Sequence, residues 1–373
     1  MRFLQNTDWL MVGSAFLISL AGLSSMYAFG EGTSFAEKQI IWLALGLLVF
    51  FAASAFDFRF LRQTPVVVTV YGIALFFLAL LFAIGATFKG AQSWFDLGFF
   101  AVEPVDPAKF ALILVLAKYF SRRHVEIAHV RHLLVSGFYA LLIFILVLLQ
   151  PDFGSAVIIM GVWMAMVLVS GIPLRHLAVL TAIGATALSF LWFFVFEPYQ
   201  QQRIMTFVNP TADISGAGYN AFQSTVAVGS GGLLGKGIGY GTQSRLQFLP
   251  EHETDFIFAA FAEEWGFVGT VLLLLCFATL MYRLVENART GATNFESLFT
   301  LGVASLFGIH MVIHIGMNIG LLPVTGLTLP FMSYGGSHIL TGYALLGIVN
   351  SMRKYGRTVH SDEEHEVVGA FVK

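Results

Sequence analysis

The stretch WLMVGSAFLISLAGLSSMYAF occupies residues 9–29 and contains no charged side chain. A helix needs about 20 mostly apolar residues to cross the hydrocarbon core of a bilayer. No small-x-small cleavage site follows the stretch, so we interpret it as a retained span and not as a removed signal peptide. It therefore predicts an integral membrane protein.

Nine further apolar segments continue this pattern along the chain. The sequence is 57% hydrophobic and 11% charged, whereas a soluble domain averages about 25% charged residues. We predict an all-α integral membrane protein that forms a single domain over residues 1–373, with about ten transmembrane helices. The other nine are Gln39–Phe56, Pro65–Thr87, Pro107–Phe120, Leu133–Leu149, Phe153–Ser170, Leu177–Phe196, Phe256–Tyr282, Ser297–Ile319 and Gly335–Met352.

The basic residues predict the orientation of these spans. With the N-terminus inside, the inner loops and ends carry fourteen Lys and Arg residues and the outer loops carry six. Loops rich in Lys and Arg stay in the cytoplasm, so we predict cytoplasmic termini and a short cytoplasmic tail over about 353–373. The net charge of −2 gives no reason to expect nucleic-acid binding, and the single Cys276 excludes an internal disulfide.

Two outer segments depart from the simple pattern of spans and short loops. The loop at about 197–254 is unusually long and rich in glycine and aromatic residues, which indicates a folded, functional loop that packs on the membrane domain. The stretch NIGLLPVTGLTLPFMSYGGS, residues 318–337, is broken by proline and glycine. Irregular backbone at membrane depth is tolerated where it lines protein or a cavity, so we predict a re-entrant outer segment.

The glycine run GSGGLLGKGIGYGTQ, residues 229–243, raises the question of a phosphate-binding loop. It fails the nucleotide-binding pattern, because Ser230 stands where the first glycine should be and Gly237 follows Lys236. No nucleotide is therefore expected. Backbone N–H groups with Lys236 and Arg245 could still hold a pyrophosphate, and the alternative is a turn region that merely folds tightly.

Polar residues in three other places have a functional and a structural interpretation. Asp106 and Lys109 share a helical face with Glu103, so Lys109 either meets a partner in a polar site or snorkels to the interface. Asp152 follows a proline, and helix capping is the favoured interpretation. His310 and His314 share a helix face, and we predict a packed, hydrogen-bonded pair because no third metal ligand is evident.

The stretch LPEHETDFIF, residues 249–258, places four titratable side chains directly before an apolar segment. Asp255 is the last of them, and a carboxylate at a helix N-terminus is stabilised by the helix dipole. Helix capping by Thr254 or Asp255 is therefore one interpretation. The other is a half-buried base that accepts a proton from a sugar hydroxyl.

Several blocks resemble the SEDS family, the shape, elongation, division and sporulation proteins. They are QPDFGSA (150–156), RIMTFVNP (203–210), GAGYNAFQSTVAVGSGGLLGKGIGYGTQS (216–244), FLPEHETDFIFAAFAEEWGFVG (248–269) and GMNIGLLPVTGLTLPFMSYGGS (316–337). The resemblance covers nearly the whole chain, and GKGIGYGTQS, AEEWG and LLPVTG favour the elongation branch over the division branch. The chain departs from the family pattern at Glu103, Asp106 and His338.

The resemblance implies a peptidoglycan glycosyltransferase of the bacterial cytoplasmic membrane. Its substrate would be lipid II, polymerised on the outer face into β-1,4 glycan strands during elongation, and its partner would be a class B penicillin-binding protein. The family's functional aspartate matches Asp255, as a catalytic base or a ligand of Mg²⁺ or Mn²⁺. The residues expected to bind pyrophosphate or sugar are Lys109, Asp106, Asp152, Arg203, Lys236, Arg245 and Ser333.

Two other functions remain open on the sequence. A lipid II flippase would use the same substrate and cations, but it would need alternating access and inverted repeats, and no repeat is evident. A scaffold that recruits a cell-wall synthase would need no acid at the end of the long loop.

Overall fold

The computed structural model describes most of the chain. It covers residues 7–27, 33–88, 91–96, 98, 101–122, 130–171, 174–194, 196, 201, 205, 207, 218–246 and 248–371, with side chains as far as Tyr355. All the elements below belong to these residues.

A helix occurs at each of the ten predicted spans, so the all-α fold class is confirmed. The helices are α1 Trp9–Tyr27, α2 Thr33–Ala55, α3 Thr64–Ile84, α4 Val105–Ser121, α5 Val130–Leu148, α6 Phe153–Val169 and α7 Leu174–Phe194, followed after the long loop by α10 Ile257–Arg289, α11 Asn294–Asn318 and α12 Gly336–Phe371. The long loop itself contributes α8 Tyr219–Ser230 and α9 Thr242–Arg245, and a 3-10 turn, Phe58–Arg62, precedes α3.

Length and apolarity qualify six described helices as membrane spans. They are α1, the Phe35–Ala55 part of α2, α3, α5, α10 and α11, while α6 and the Ala178–Phe194 part of α7 are apolar but shorter. Large apolar side chains such as Leu48, Phe76 and Leu272 point outward from these helices. Acyl chains accept such a surface, so the chain is a multi-pass membrane protein.

The short helix α4 lies at the centre of the bundle. Its side chains are buried on nearly every face, from Val105 to Phe120, and it packs against α3, α5, α6 and α11. A helix surrounded in this way is a core helix. It therefore places its charged residues inside the protein.

Glycines allow close helix packing at two places. A Cβ on Gly22 of α1 would lie 2.1 Å from the carbonyl oxygen of Met332, and one on Gly347 of α12 would lie 2.8 Å from that of Phe50 in α2. Small residues of this kind permit close backbone approach between membrane helices. They bring α1 and α2 against the C-terminal part of the chain.

Three short strands between α3 and α4 were missed by the sequence analysis. They are β1 Ala86–Phe88, β2 Ala91–Asp96 and β3 Ala101–Val102, and they form an antiparallel sheet in the order β1-β2-β3. β1 and β3, with three and two residues, are too short to show an alternating pattern, and the six residues of β2, AQSWFD, do not alternate between apolar and polar side chains.

The segment 319–335 is irregular, as predicted, and part of it is buried. Leu329, Phe331 and Met332 are within the core, and Phe331 has a φ of 65°. The carbonyl oxygens of Leu327 and Thr328 accept hydrogen bonds from Nδ1 of His314 and His310, at 2.7 and 3.2 Å. The hydrogen-bonded histidine pair is thereby confirmed, and entry of the segment into the membrane stays a prediction.

The C-terminal end differs from the sequence prediction. The sequence predicts that the last span ends at Met352 and predicts no regular structure for the tail, whereas α12 continues to Phe371. The polar tail lacks the apolar periodicity on which the prediction relied. No proline interrupts it.

A buried carboxylate ties α1, α10 and α12 together at one end of the bundle. Asp8 accepts hydrogen bonds from Nε and Nη2 of Arg283 at 3.1 and 2.8 Å, and from Nδ2 of Asn287 at 3.0 Å. Arg353 lies 3.0 Å from the same carboxylate. Burial alone would raise the pKa of Asp8, but the bonds from Arg283 and Asn287 and the charge of Arg353 together lower it below its usual range.

We expect Asp8→Asn to destabilise the bundle by about 1.5–3 kcal/mol, because it removes charge-assisted hydrogen bonds. The pKa of Asp8 is lower in the folded state, so the ionised group stabilises the fold above the unfolded pKa of about 3.9, and this stability is lost as the pH falls. Thermal melts in detergent at several pH values would measure both effects. Asp57→Asn is the control, since its pair with Arg59 is largely exposed and is worth about 0–1 kcal/mol; equal melting shifts for the two variants would contradict the prediction.

Candidate active site

Asp255 lies one residue before the N-cap of α10. The N-cap is Phe256, which makes no side-chain capping bond, and the Thr254 hydroxyl donates to the carboxylate of Glu251 at 3.1 Å. Neither Thr254 nor Asp255 is therefore the N-cap of α10, and the interpretation of these residues as helix caps is wrong. The Asp255 carboxylate lies against the segment 319–335, where a Cβ on Gly326 would be 3.6 Å from its Oδ2.

Three consecutive carbonyl groups fix the backbone at this point. The oxygens of Glu253, Thr254 and Asp255 accept from the Tyr334 N–H at 2.8 Å, the Ser333 hydroxyl at 2.8 Å and Nδ2 of Asn318 at 3.0 Å. Ser333 is buried, and its Oγ also accepts from the Leu329 N–H at 2.8 Å. Ser333, predicted to bind substrate, thus supports the backbone before Asp255 in this structure.

Asp106 and Lys109 form a second cluster, inside the bundle. Lys109 Nζ lies 3.1 Å from Asp106 Oδ1, and the two residues are only 4% and 3% exposed. His338 Nδ1 lies 3.6 Å from Asp106 Oδ2, which is too long for a hydrogen bond. The snorkelling interpretation of Lys109 is therefore wrong, because its ammonium group is buried against a carboxylate.

The cavity beside this ion pair is small. It is lined by Asp106, Lys109, His310, His338 and Thr341, with apolar residues on its other sides, and its volume is about 10 Å³. A cavity of this volume holds about one water molecule. A pyrophosphate group does not fit there, so in this conformation Lys109 is closed to substrate.

One face of α11 connects the two clusters. His310 lines the cavity, and Asn318 binds the backbone of Asp255 eight residues later. At about 1.5 Å per residue, these contacts are about 12 Å apart along the helix. Asp106 and Asp255 thus lie beside α11 about two turns apart, so the two carboxylates do not form one set of ligands for a metal ion.

The predicted divalent cation has no preformed ligand set in the described part of the chain. No group of three or more His, Cys, Asp or Glu side chains there is placed to hold a metal ion. Asp255 alone would leave most positions of a Mg²⁺ or Mn²⁺ ion to other oxygen ligands. We therefore derive no reaction step through a metal.

The glycine-rich run is organised by a buried carboxylate that the sequence analysis did not identify as a site residue. Glu263 in α10 is fully buried. Its Oε1 accepts from Lys236 Nζ at 2.7 Å, from the Thr242 N–H at 2.9 Å and from the Thr242 hydroxyl at 3.0 Å. Both oxygens lie 3.2 Å from the Gln243 nitrogen. The Lys236 ammonium group thus neutralises Glu263 in this structure.

The same run fills a break in α10. Gly266 has non-helical angles, φ 65° and ψ −165°, which interrupts the helical hydrogen bonds. The loop replaces them: the N–H groups of Lys236 and Gly237 donate to Glu263 and Glu264 at 3.0 Å each, and those of Phe267 and Val268 donate to Gly232 and Leu233 at 2.9 and 3.1 Å. The long loop therefore packs on the membrane domain, as predicted.

The signal that could have identified Glu263 and Glu264 is their position. Two carboxylates occur in an otherwise apolar helix, and an ionisable residue at membrane depth is a site candidate by default. Asn318 gave no such signal. An amide at the end of a helix is common in turns, and its partners come from distant parts of the chain.

The other predicted site residues are scattered. Asp152 is the N-cap of α6 and accepts from the Ser155 N–H at 3.0 Å, so the capping interpretation is confirmed. Arg245 ends α9 and is exposed, and Arg203 lies outside the described residues. Several hydrogen bonds thus hold the backbone at Asp255, whereas Asp106 and Lys109 lie in a separate cluster inside the bundle.

These features define a multi-pass helical membrane protein with an acidic site at the start of a long helix, against the irregular segment 319–335. The chain belongs to the FTSW_RODA_SPOVE family of cell cycle proteins, whose profile matches residues 2–358. The predicted SEDS membership is therefore confirmed.

Relatives and solved structures agree with this assignment. The chain is 36% identical over 342 residues to peptidoglycan glycosyltransferase MrdB of Escherichia coli K12, covering 91% of each chain. It is 33% identical over 351 residues to stage V sporulation protein E of Bacillus subtilis, covering 93% of this chain and 94% of the relative.

Two solved structures share the fold. Rod shape determining protein RodA of Thermus thermophilus matches with a TM-score of 0.71 at 31% identity, covering 93% of this chain and 97% of that one. A chain of a peptidoglycan synthase complex, described as coordinating polymerization and crosslinking, matches with a TM-score of 0.83 at 32% identity, covering 94% and 98%.

We expect Glu263→Gln to loosen the glycine-rich run, because it removes the charge that Lys236 and two backbone N–H groups share. Hydrogen bonds to a charged group are worth about 1.5–3 kcal/mol, so amide hydrogen exchange over residues 236–243 should be about 10–100-fold faster. Glu286→Gln on the same helix is the control, because its carboxylate is 3.9 Å from exposed Arg289. Unchanged exchange in Glu263→Gln would show that the loop is held by its backbone bonds alone.

Proposed function

We propose that this protein is a peptidoglycan glycosyltransferase that polymerises lipid II into β-1,4 glycan strands. The observation that carries the proposal is the placement of Asp255 at the start of α10, at the end of a stretch in which the carbonyls of Glu253, Thr254 and Asp255 each accept one hydrogen bond. Membership of a family that includes peptidoglycan glycosyltransferases supports it. A scaffold would need no such anchored carboxylate.

The reaction joins a sugar hydroxyl of one lipid II molecule to the anomeric carbon of another. Asp255 accepts the proton of the attacking hydroxyl, a new C–O bond forms at the anomeric carbon, and the bond from that carbon to the pyrophosphate oxygen breaks. The electron pair of the broken bond leaves with the lipid pyrophosphate. A positioned base of this kind typically contributes about 10²–10⁴ in rate.

The negative charge of the leaving group requires nearby cations. Arg245 is exposed on the outer loop, and Arg203 and Lys236 belong to the same loop. Lys236 already pairs with Glu263, so its positive charge would be shared between Glu263 and the pyrophosphate. Lys109 would take part only in a conformation that opens its cavity; in the closed one it stabilises the core beside α11.

The orientation and the partner complete the proposal. We place both termini in the cytoplasm, the long loop outside, and the protein in the bacterial cytoplasmic membrane, where the polymer is needed on the outer face. The relative in a peptidoglycan synthase complex that coordinates polymerization and crosslinking supports a transpeptidase partner, a class B penicillin-binding protein.

The decisive experiment supplies the purified protein with labelled lipid II, alone and with a class B penicillin-binding protein. Growth of glycan chains supports the proposal. Transbilayer movement of lipid II without polymer would identify a flippase. If neither activity occurs in either sample, only the scaffold function would remain.

Asp255→Asn should abolish polymerisation, because an amide does not accept the proton. The expected loss is about 10²–10⁴-fold, whereas Asn serves about as well as Asp in helix capping. Glycan formation by equal amounts of folded protein, checked by a thermal melt, measures the loss. Asp57→Asn is the matched control for the loss of one carboxylate, and substantial activity in Asp255→Asn would remove the catalytic assignment.

Cysteine labelling tests the orientation. Tyr240 and Arg289 are both exposed, and Tyr240 lies near Glu264, whose Oε1 accepts from the Gly239 N–H at 3.0 Å. The 25 residues from Glu264 to Arg289 span about 37 Å of helix, more than the hydrocarbon core of about 30 Å. In a Cys276→Ser background, Tyr240→Cys should react with an impermeant maleimide in intact spheroplasts and Arg289→Cys only after lysis; the reverse pattern would invert the proposed topology.

A further inference from the structure

The side-chain amide of Asn318 lies where α10, α11 and the long loop meet, directly beside Asp255. Asn318 is fully buried and is the last residue of α11. Its Nδ2 donates to the carbonyl oxygens of Asp255 at 3.0 Å and His314 at 2.8 Å. Its Oδ1 accepts from the Ala259 N–H at 3.1 Å. Both amide protons and the amide oxygen are therefore used.

The bond to Ala259 makes Asn318 the cap of α10. The first helical residue is Ile257, so Ala259 is the third, and an N-cap side chain normally accepts from the N–H of the second or third residue. The residue at the N-cap, Phe256, makes no side-chain capping bond. Asn318 supplies this bond from the neighbouring helix, so the capping function at this helix end does not fall to Asp255.

We propose that Asn318 is a positioning residue for the glycosyl transfer, because it fixes the backbone from which the Asp255 carboxylate projects. The inference rests on the proposed function. The Asn318 amide is hydrogen-bonded to both the Asp255 carbonyl and the Ala259 N–H. These two groups define the direction in which the chain enters α10. A base must be held close to the proton that it abstracts, and a displacement of about 1 Å can lower the rate about 10²-fold.

Asn318→Asp separates the positioning role from the capping role. The new carboxylate still accepts from the Ala259 N–H, and Asp caps helices about as well as Asn. Its second oxygen, however, faces the carbonyl oxygens of Asp255 and His314 in place of a donor. We expect kcat for lipid II polymerisation to fall about 10²-fold, with KM changed by less than about threefold. The melting temperature should fall as well, because a buried carboxylate that faces two carbonyl oxygens is destabilising, so kcat is compared for equal amounts of folded protein.

A pH series adds a readout that a purely structural role would not change. Protonation of the new carboxyl group restores one donor toward Asp255 or His314, so the ratio of variant to wild-type kcat should rise between about pH 8 and about pH 5. A ratio that stays constant with pH would contradict the assigned hydrogen bond.

Ser224→Ala is the matched control. The Ser224 hydroxyl donates to the backbone oxygen of Asn318 at 2.8 Å and lies 3.4 Å from its Oδ1, but the bonds that Asn318 Nδ2 donates to Asp255 and His314 do not involve it. Its removal should leave kcat within about twofold of wild type. An equal loss of kcat in Ser224→Ala and Asn318→Asp would mean that any disturbance of the cluster is sufficient, and it would overturn the positioning role.

The outcomes separate this inference from the proposed function. Wild-type kcat in Asn318→Asp, with an inactive Asp255→Asn, overturns the inference and leaves the glycosyltransferase standing. A wild-type protein that makes no glycan with its partner present refutes the proposed function itself. If Asn318→Asp fails to fold, Asn318→Ala decides by the same kcat and KM criterion, since it removes the amide without adding a charge.

Discussion

Backbone groups inside a bilayer find no water to bond, so every irregular segment at that depth must be paired by the protein itself. The same constraint applies to any buried backbone, and two irregular segments of this chain are paired by α10 and α11. The run 231–243 pairs with α10 across the break at Gly266, and the segment 319–335 receives hydrogen bonds from His310 and His314 of α11. The other residues of the site are arranged around these two hydrogen-bonded segments.

Hydrogen bonds also fix the backbone where the chain enters α10. The N–H groups of Thr254 and Phe256 donate to the Glu251 carbonyl. The carbonyls of residues 253–255 accept hydrogen bonds from Tyr334, Ser333 and Asn318. The first two belong to the irregular segment and the third ends α11. A carboxylate on such a stretch keeps one orientation with little loss of entropy on binding substrate, which is the condition for efficient proton transfer.

Apolar length and periodicity were sufficient to predict ten helices, because lipid contact imposes long uninterrupted segments. They could not predict β1 to β3, whose few residues show no pattern, nor the extension of α12 to Phe371. For the site, position relative to an apolar segment identified Asp255 and a helical interval identified the Asp106–Lys109 pair. Glu263 and Asn318 were missed because most of their partners are 20 to 94 residues away in sequence, and only the folded chain brings them together.

The closed cavity at Lys109 and the anchored carboxylate at Asp255 share one mechanical element, the face of α11 that carries His310, His314 and Asn318. A rotation or axial shift of α11 would change the bonds at both ends together, since each end is held by short, directional contacts. Opening the cavity wide enough for a pyrophosphate would require movement of the side chains that His310 packs against, including His338, whose ring centroid is 5.3 Å away. If α11 moves to expose Lys109, the backbone at Asp255 is disturbed as well, because the hydrogen bond of His314 to Leu327 opposes a bend between His310 and Asn318. Movement of His338 and Thr341 on α12 would instead open the cavity with Asn318 in place.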